Sequence, residues 1–153
     1  MKIAYFSLGC FWSPQLEFEK IKGVKKAEVG YCGGNDPNTT YEKVCSGSTN
    51  HAETIKVEFD ENEISYEQLV RFFFKIHDPT QLNRQGPDIG TQYRSEIFCL
   101  DDDQYLIADG IKRNFNKEVY DDKIVTSISM ADNFWIAEEY HQKYVRKKKN
   151  MIF

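Results

Sequence analysis

Cys10 stands in the run Gly9-Cys10-Phe11-Trp12, where a short β-prone segment, Ile3 to Leu8, gives way to helical spacing from Ser13 to Lys22. A cysteine at the first turn of a helix meets unpaired backbone N–H groups and the positive end of the helix dipole. That setting favours thiolate, the nucleophilic form, over thiol. The rings of Phe11 and Trp12 could wall a small apolar pocket beside it. These four residues equally suit a buried cysteine in an aromatic core. Forty-three positions on, Glu53 lies in Thr49-Asn50-His51-Ala52-Glu53, at the start of an alternating strand. Alternation puts Glu53 on the face of Ile55, Val57 and Phe59, the face expected to be buried. A carboxyl turned towards an apolar face has a raised pKa and can donate a proton near neutrality. A strand end, however, is often solvated, and a solvated Glu53 has no such property. Tyr41 and Tyr93 stand in or beside loops, and Asp88 lies within a long one; a tyrosine there either makes a structural hydrogen bond or donates to an oxyanion.

These residues are positioned by elements read from periodicity. Residues 2–8 form a strand, and 11–22 a helix with Pro14 in its first turn, where no N–H partner is lost. Val24 to Tyr31 is a strand ended by the turn cluster Gly33-Gly34-Asn35-Asp36-Pro37. Tyr41 to Cys45 is a short helical piece, and His51 to Phe59 a strand. Ser65 caps a helix running to Ile76, with Leu69, Val70, Phe72, Phe73 and Ile76 on one face. Asp78 to Tyr93 is irregular, and an irregular segment of that length inside a domain is usually functional. Ser95 to Leu100 is a strand and Asp101 to Asn116 a helix opened by three acids. Lys123 to Ser129 is a strand, and Glu138 to Val145 a helix. The order strand, helix, strand, strand, helix, strand predicts an α+β fold: a ferredoxin-like split βαβ core, with helices packed on a mixed, mainly antiparallel sheet and C-terminal additions.

Composition narrows the function classes. The 153 residues suit one domain spanning 1–153, and 41% hydrophobic content supplies a core. A net charge of −4 lacks the basic face of a nucleic-acid binder. The one basic run, Arg146 to Lys149, reads as a solvated tail. No stretch approaches the roughly 18 apolar residues that span a membrane. The N-terminus is too short in apolar residues for a secretory signal, so a cytoplasmic location is expected. There the four cysteines, Cys10, Cys32, Cys45 and Cys99, rest as thiols. Cys10, Cys32, Cys45 and His51 are zinc-type ligands, but their spacing fits no structural-zinc pattern, so no metal is expected. No nucleotide-binding or serine-hydrolase motif is present.

Taken together, the chain resembles the A-type peptide methionine sulfoxide reductases. The likeness rests on Gly9-Cys10-Phe11-Trp12, Gly30-Tyr31-Cys32-Gly33-Gly34, Thr40 to Gly47, His51-Ala52-Glu53, His77 to Gln81, Gln85 to Ser95 and Ala137 to Gln142. Their order and spacing, over nearly the whole chain, are what make it specific. The resemblance implies reduction of the S epimer of methionine sulfoxide, free or in oxidised proteins, as a repair reaction. It implies Cys10 as nucleophile, Glu53 as the acid for the sulfoxide oxygen, and Tyr41 and Tyr93 as donors to that oxygen. Asp88 would order the site, and Phe11 and Trp12 would receive the substrate methyl. The product on Cys10 is a sulfenic acid that a second thiol must resolve. No bound cofactor is implied, only an external thiol reductant: thioredoxin, or glutathione with glutaredoxin. A monomer is expected.

Two departures stand out. Many relatives carry resolving cysteines in a tail after the Tyr-His-Gln segment, and here no cysteine follows Cys99. Cys32, Cys45 or the external thiol is therefore expected to resolve Cys10, with the external thiol favoured, because a disulfide needs Cα atoms within about 7 Å. Cys99, within a strand, reads as a packing residue. After Trp12, Ser13-Pro14-Gln15 replaces a Gly and a Glu of many relatives, and the retained Glu53 is expected to preserve activity. The competing reading is a thiol redox sensor or binding module that does not turn over.

Overall fold

The computed structural model describes residues 1–151; Ile152 and Phe153, the end of the expected tail, lie outside the described residues. Six strands form one mixed sheet: β1 (Lys2–Leu8), β2 (Val24–Cys32), β3 (Ala52–Phe59), β6 (Ser95–Cys99), β7 (Ser127–Met130) and β8 (Phe134–Ile136), in the order β7-β6-β1-β3-β2-β8. All neighbours are antiparallel except β6 and β7. The central order β6-β1-β3-β2, with helices α1 (Trp12–Glu19) and α3 (Tyr66–Lys75) as crossovers, is the split βαβ core.

The two crossover helices bury one face of the sheet. Phe6 stacks on Phe18 of α1 at 5.2 Å and on Phe73 of α3 at 5.4 Å between ring centroids. Ile55, Val57, Val29 and Leu69 complete this core. Helix α3 starts where the Ser65 hydroxyl accepts from the Gln68 N–H and the Gln68 side chain accepts from the Ser65 N–H, a reciprocal cap. Helix α4 (Asp102–Glu118) packs on α3, with Phe115 edge-on to Phe74, and is capped by Asp101. The opposite face of the sheet carries a smaller cluster of Cys32, Ala52 and Phe98 against Tyr5 and Ala131.

The topology brings chemistry-bearing residues to one end of the sheet. Antiparallel pairing of β1 with β3 puts the end of β1 beside the start of β3, and Tyr31 at the end of β2 pairs with Glu53. Leu8 pairs with Ser95 at the start of β6. The short helical piece expected over Tyr41 to Cys45 is α2 (Tyr41–Cys45), and the irregular segment holds two short strands, β4 (Arg84–Gln85) and β5 (Asp88–Ile89), before a 3-10 turn over Thr91–Tyr93.

The C-terminal part differs from the sequence expectation. Residues 123–126 run outside the ladder, held by Ile124 N–H to Asn116 Oδ1 and Val125 N–H to the Pro79 carbonyl. Strand β8 was not signalled by periodicity, because it is three residues long and pairs on one edge only. The single helix expected over 138–145 is instead a 3-10 turn (Glu139–His141) followed by α5 (Tyr144–Met151), broken at Lys143, whose φ is +56°. The basic run is solvated, with Arg146 to Lys148 exposed, but it lies in helix α5 and not in a tail, where Arg146 pairs with Glu19 at 3.1 Å and Lys147 with Glu139 at 3.7 Å.

Gln15 explains part of this arrangement. It is 1% exposed, and its amide donates to the Ala27 carbonyl at 2.8 Å while accepting from the Lys143 N–H at 2.7 Å. It clamps α1 to β2 and to the chain entering α5, and is not a solvent-facing charge substitute at a helix start. Gln15→Glu turns the donor facing Ala27 into a second acceptor. It is expected to cost about 1–3 kcal/mol, read as a lowered Tm in thermal unfolding at neutral pH.

Candidate active site

Glu53 is the anchor of the site. Its carboxyl is 1% exposed on the face shared with Ile55 and Val57. Oε1 accepts from the Phe11 N–H at 3.3 Å, and Oε2 accepts from the Gln92 amide at 3.1 Å. Burial pushes this carboxyl up to about 7, with the Gln92 and Phe11 hydrogen bonds pulling down and the Asp88 charge pushing further up. A buried carboxyl that is about half protonated at neutrality is a competent proton donor.

Cys10 lies directly before α1 and is partly exposed. Gly9, at φ +103°, makes the turn out of β1, and a Cβ there would stand 2.9 Å from Gln85 Cβ, so glycine permits both the bend and the close approach of the β4 loop. The first amides of α1 are divided between the two reactive groups: the Phe11 N–H goes to Glu53 and the Trp12 N–H to the Cys10 sulfur. The helix start nevertheless does not make Cys10 acidic. Burial, opposed by the Trp12 N–H and reinforced by the charges of Glu53 and Asp88, pushes its thiol up to about 12. The expected thiolate is thus corrected to a thiol, because desolvation and two nearby carboxylates outweigh one backbone hydrogen bond.

Tyr41 and Tyr93 both feel the Glu53 charge, and burial pushes both phenols up, that of Tyr93 to about 12. Both therefore keep a donatable proton. Asp88, on β5, is near enough to act electrostatically on Cys10, Glu53 and Tyr93. Phe11 is a core residue, 1% exposed and packed on Tyr31 and His141. Trp12 is the more open of the two aromatics: its ring stacks on Tyr144 at 3.9 Å and its indole N–H donates to His141 Nδ1 at 2.9 Å.

The cysteines separate clearly. Cys45, on α2, is exposed, accepts from the Gln92 amide at 3.3 Å and lies near enough to Cys10 to act on it electrostatically. Cys32 is fully buried on the opposite face of the sheet, among Ala52 and Phe98, so the fold does not bring it to Cys10. Cys99 is buried beside Tyr66. His51, a zinc-type residue in the sequence, has both ring nitrogens engaged, accepting from the Gly34 N–H and bonding the Asp36 carbonyl. Among the described residues no group of three or more His, Cys, Asp or Glu side chains is arranged to hold a metal.

Three residues had no assigned role in the sequence reading. Gln92 joins Glu53 to Cys45. Glu138 accepts from the Tyr31 hydroxyl and from the Tyr41 N–H, both at 2.9 Å, and so fixes the start of α2. Burial works against its charge, yet those donors together hold its carboxyl below the ordinary range. His141 holds Trp12. All three lie within quoted motifs, but only tertiary contacts separate them from their neighbours. Surface clefts of about 490 and 460 Å³ lie elsewhere, between α1, β2 and α5 and beside the starts of α3 and α4, and contain none of the site residues. The site is defined by converging chemistry and not by depth.

Comparison with known proteins agrees with this geometry. The family profile described as Peptide methionine sulfoxide reductase matches residues 2–152. The chain is 53% identical over 148 residues to the peptide methionine sulfoxide reductase MsrA of Pelagibacter ubique, covering 97% of this chain and 100% of that one. It superposes on methionine sulfoxide reductase A of Corynebacterium diphtheriae with a TM-score of 0.92 at 34% identity, over 97% of this chain and 75% of the other. It also matches Mxr1 of Saccharomyces cerevisiae in complex with Trx2, with a TM-score of 0.67 at 25% identity, over 94% and 84% of the two chains. With a family match across essentially its whole length and the same fold, this chain belongs to the peptide methionine sulfoxide reductase family and is an oxidoreductase.

Proposed function

We propose that this protein, acting as a single domain, reduces the S epimer of methionine sulfoxide to methionine, and that Cys10 and Glu53 perform the chemistry as a pair. The observation that carries this reading is the buried Glu53 carboxyl bonded to the Phe11 N–H, one residue from Cys10. A sulfoxide oxygen departs from sulfur readily only when protonated. Glu53 in its acid form supplies that proton, and the hydroxyls of Tyr41 and Tyr93 donate to the same oxygen. Trp12 offers the apolar surface for the S-methyl group, with Phe11 packed behind it, and Asp88 orders the rim.

Cys10 Sγ forms a bond to the sulfoxide sulfur as its own proton departs. The S–O electron pair passes to the oxygen, which takes the proton of Glu53. The hydroxyl then passes from the substrate sulfur to Sγ as the Sγ–S bond breaks with its electron pair kept by the substrate sulfur, which gives methionine, reduced by two electrons, and Cys10 as sulfenic acid, oxidised by two, while the proton that left Cys10 restores the acid form of Glu53. With burial holding its thiol at about 12, Cys10 resists ionisation near neutrality. Part of that resistance comes from the carboxylate charges of Glu53 and Asp88. It is relieved when Glu53 holds a proton, so the reactive state combines a neutral Glu53 with a thiolate facing the electropositive sulfoxide sulfur. Resolution then falls to an external dithiol of the thioredoxin type, as suggested by the complex of the yeast relative with Trx2. Cys45 is the one other cysteine placed at the site. No helix among the described residues is long and apolar enough to cross a membrane.

Cys10→Ser is expected to abolish turnover of methionyl-S-sulfoxide with dithiothreitol, and retained turnover would remove Cys10 from its role. A non-catalytic redox sensor would show no turnover in the unaltered protein. Glu53→Gln is expected to slow reduction by about 10²–10⁴-fold. The same variant removes a buried charge. The raised Glu53 carboxyl binds its proton more tightly in the folded state, so its contribution to stability declines as pH rises from its unfolded value through about 7. Glu53→Gln should therefore match or exceed the unaltered protein in Tm at pH 8, by differential scanning calorimetry. In the unaltered enzyme, kcat/KM should rise about tenfold per pH unit below about 7 and level off above it, because the loss of the acid form of Glu53 is then matched by the gain in Cys10 thiolate.

A further inference from the structure

Gln92 occupies an unusual place for a residue of a surface segment. It sits in the middle of the 3-10 turn between β5 and β6, yet its side chain is turned inward and only 7% exposed. One nitrogen, Nε2, spends both of its hydrogens: one on Glu53 Oε2 at 3.1 Å and one on Cys45 Sγ at 3.3 Å. The turn that carries it is itself braced. Arg94 donates from Nη1 to the Thr91 carbonyl at 2.9 Å, from Nη2 to the Asn50 carbonyl at 3.1 Å and from Nε to Glu96 at 2.7 Å. Glu96 in turn accepts from Ser129 at 2.6 Å. The amide of Gln92 is thus held from behind by an Arg94–Glu96–Ser129 network reaching β7.

The two oxygens of Glu53 are not equivalent in this arrangement. Oε2 is tied towards Gln92 and Cys45. Oε1 has one longer hydrogen bond, 3.3 Å from the Phe11 N–H, on the side of Cys10. We propose that Gln92 is a positioning residue for the catalytic acid: it pins Oε2, orients the carboxyl plane, and leaves Oε1 as the oxygen that carries and delivers the proton beside Cys10. This rests on the role of Glu53 given above.

A neutral amide is suited to the task. An Arg or Lys there would hold Glu53 ionised and unable to donate at neutral pH, whereas an apolar residue would leave Oε2 unpartnered and the carboxyl too weak an acid. The titratable groups facing Glu53 are Cys10 from the turn before α1, Tyr31 from β2, Tyr41 and Cys45 from α2, Asp88 from β5 and Tyr93 from the same 3-10 turn. Among them Asp88 adds negative charge at neutral pH and pushes the carboxyl up, while Gln92 opposes it.

The test titrates Glu53 directly by NMR of protein carrying ¹³C-carboxyl glutamate, with the resonance assigned through Glu53→Gln, alongside pH profiles of kcat/KM. Gln92→Met keeps the length of the side chain and removes the donor. It is expected to raise the Glu53 midpoint by about one pH unit and to move the pH at which kcat/KM levels off by the same amount. Gln92→Glu keeps the shape, places a second carboxyl against the first, and should raise the midpoint further. It also serves if the Met variant fails to fold. An unchanged Glu53 midpoint in a folded Gln92 variant, whatever its rate, overturns the proposal, since a merely structural residue would lower activity without moving the titration. Absence of turnover in the unaltered protein would instead count against the reading of Glu53 as acid, while the NMR titration would still decide whether Gln92 governs its proton.

Discussion

The burial of one carboxyl group governs the rest of the site. Glu53 begins β3 on the face that carries the hydrophobic core, and an unpaired carboxylate there would cost far more than the strand could return. Two hydrogen-bond donors and a shared proton settle the cost. One donor is a backbone N–H at the start of α1, which ties the acid to the residue next to Cys10. The other is a side-chain amide from the turn before β6. Strand end, helix start and loop are held in register by this single group.

The same electrostatics keeps the nucleophile quiet. Burial and neighbouring carboxylates favour Cys10 as a thiol, although it adjoins a helix start. A resting thiol is protected from unselective oxidation, which follows thiolate character. In the proposed mechanism, reactivity is conditional on the protonation of Glu53 and on a ligand whose electropositive sulfur stabilises the thiolate.

A second layer comes from the C-terminal segment. Gln142 exchanges hydrogen bonds with both the N–H and the carbonyl of Val29, and Gln15 accepts from Lys143. These contacts dock the stretch that bears Glu138 and His141 against β2 and α1. Glu138 then fixes the N–H of Tyr41 and the hydroxyl of Tyr31, and His141 fixes the indole of Trp12. Residues 97 and 129 positions away in the chain thus orient a proposed oxygen donor and a proposed methyl wall.

The α+β order of elements was legible in the sequence because strand alternation, the Ser65 cap and the apolar stripe of α3 are local signals. So was the meeting of Cys10, Glu53, Tyr41, Tyr93 and Asp88, through a set of motifs whose order is specific. The three-residue β8 and the break at Lys143 were not legible, because edge pairing and a positive φ leave little trace in periodicity. Which cysteine faces Cys10 was also beyond the sequence: Cys32 and Tyr31 are adjacent in the chain but project to opposite faces of β2, and only the sheet decides that Tyr31 faces the site. The sign of the shift on Cys10 was likewise decided by tertiary structure. Sequence specifies that a helix start is near, but desolvation and the approach of Glu53 and Asp88 depend on how distant segments pack. By itself the sequence determined the family, the core topology and the proposed reacting pair; the fold decided how protonated that pair rests and which neighbours hold it, because those properties arise from contacts between segments that no local pattern records.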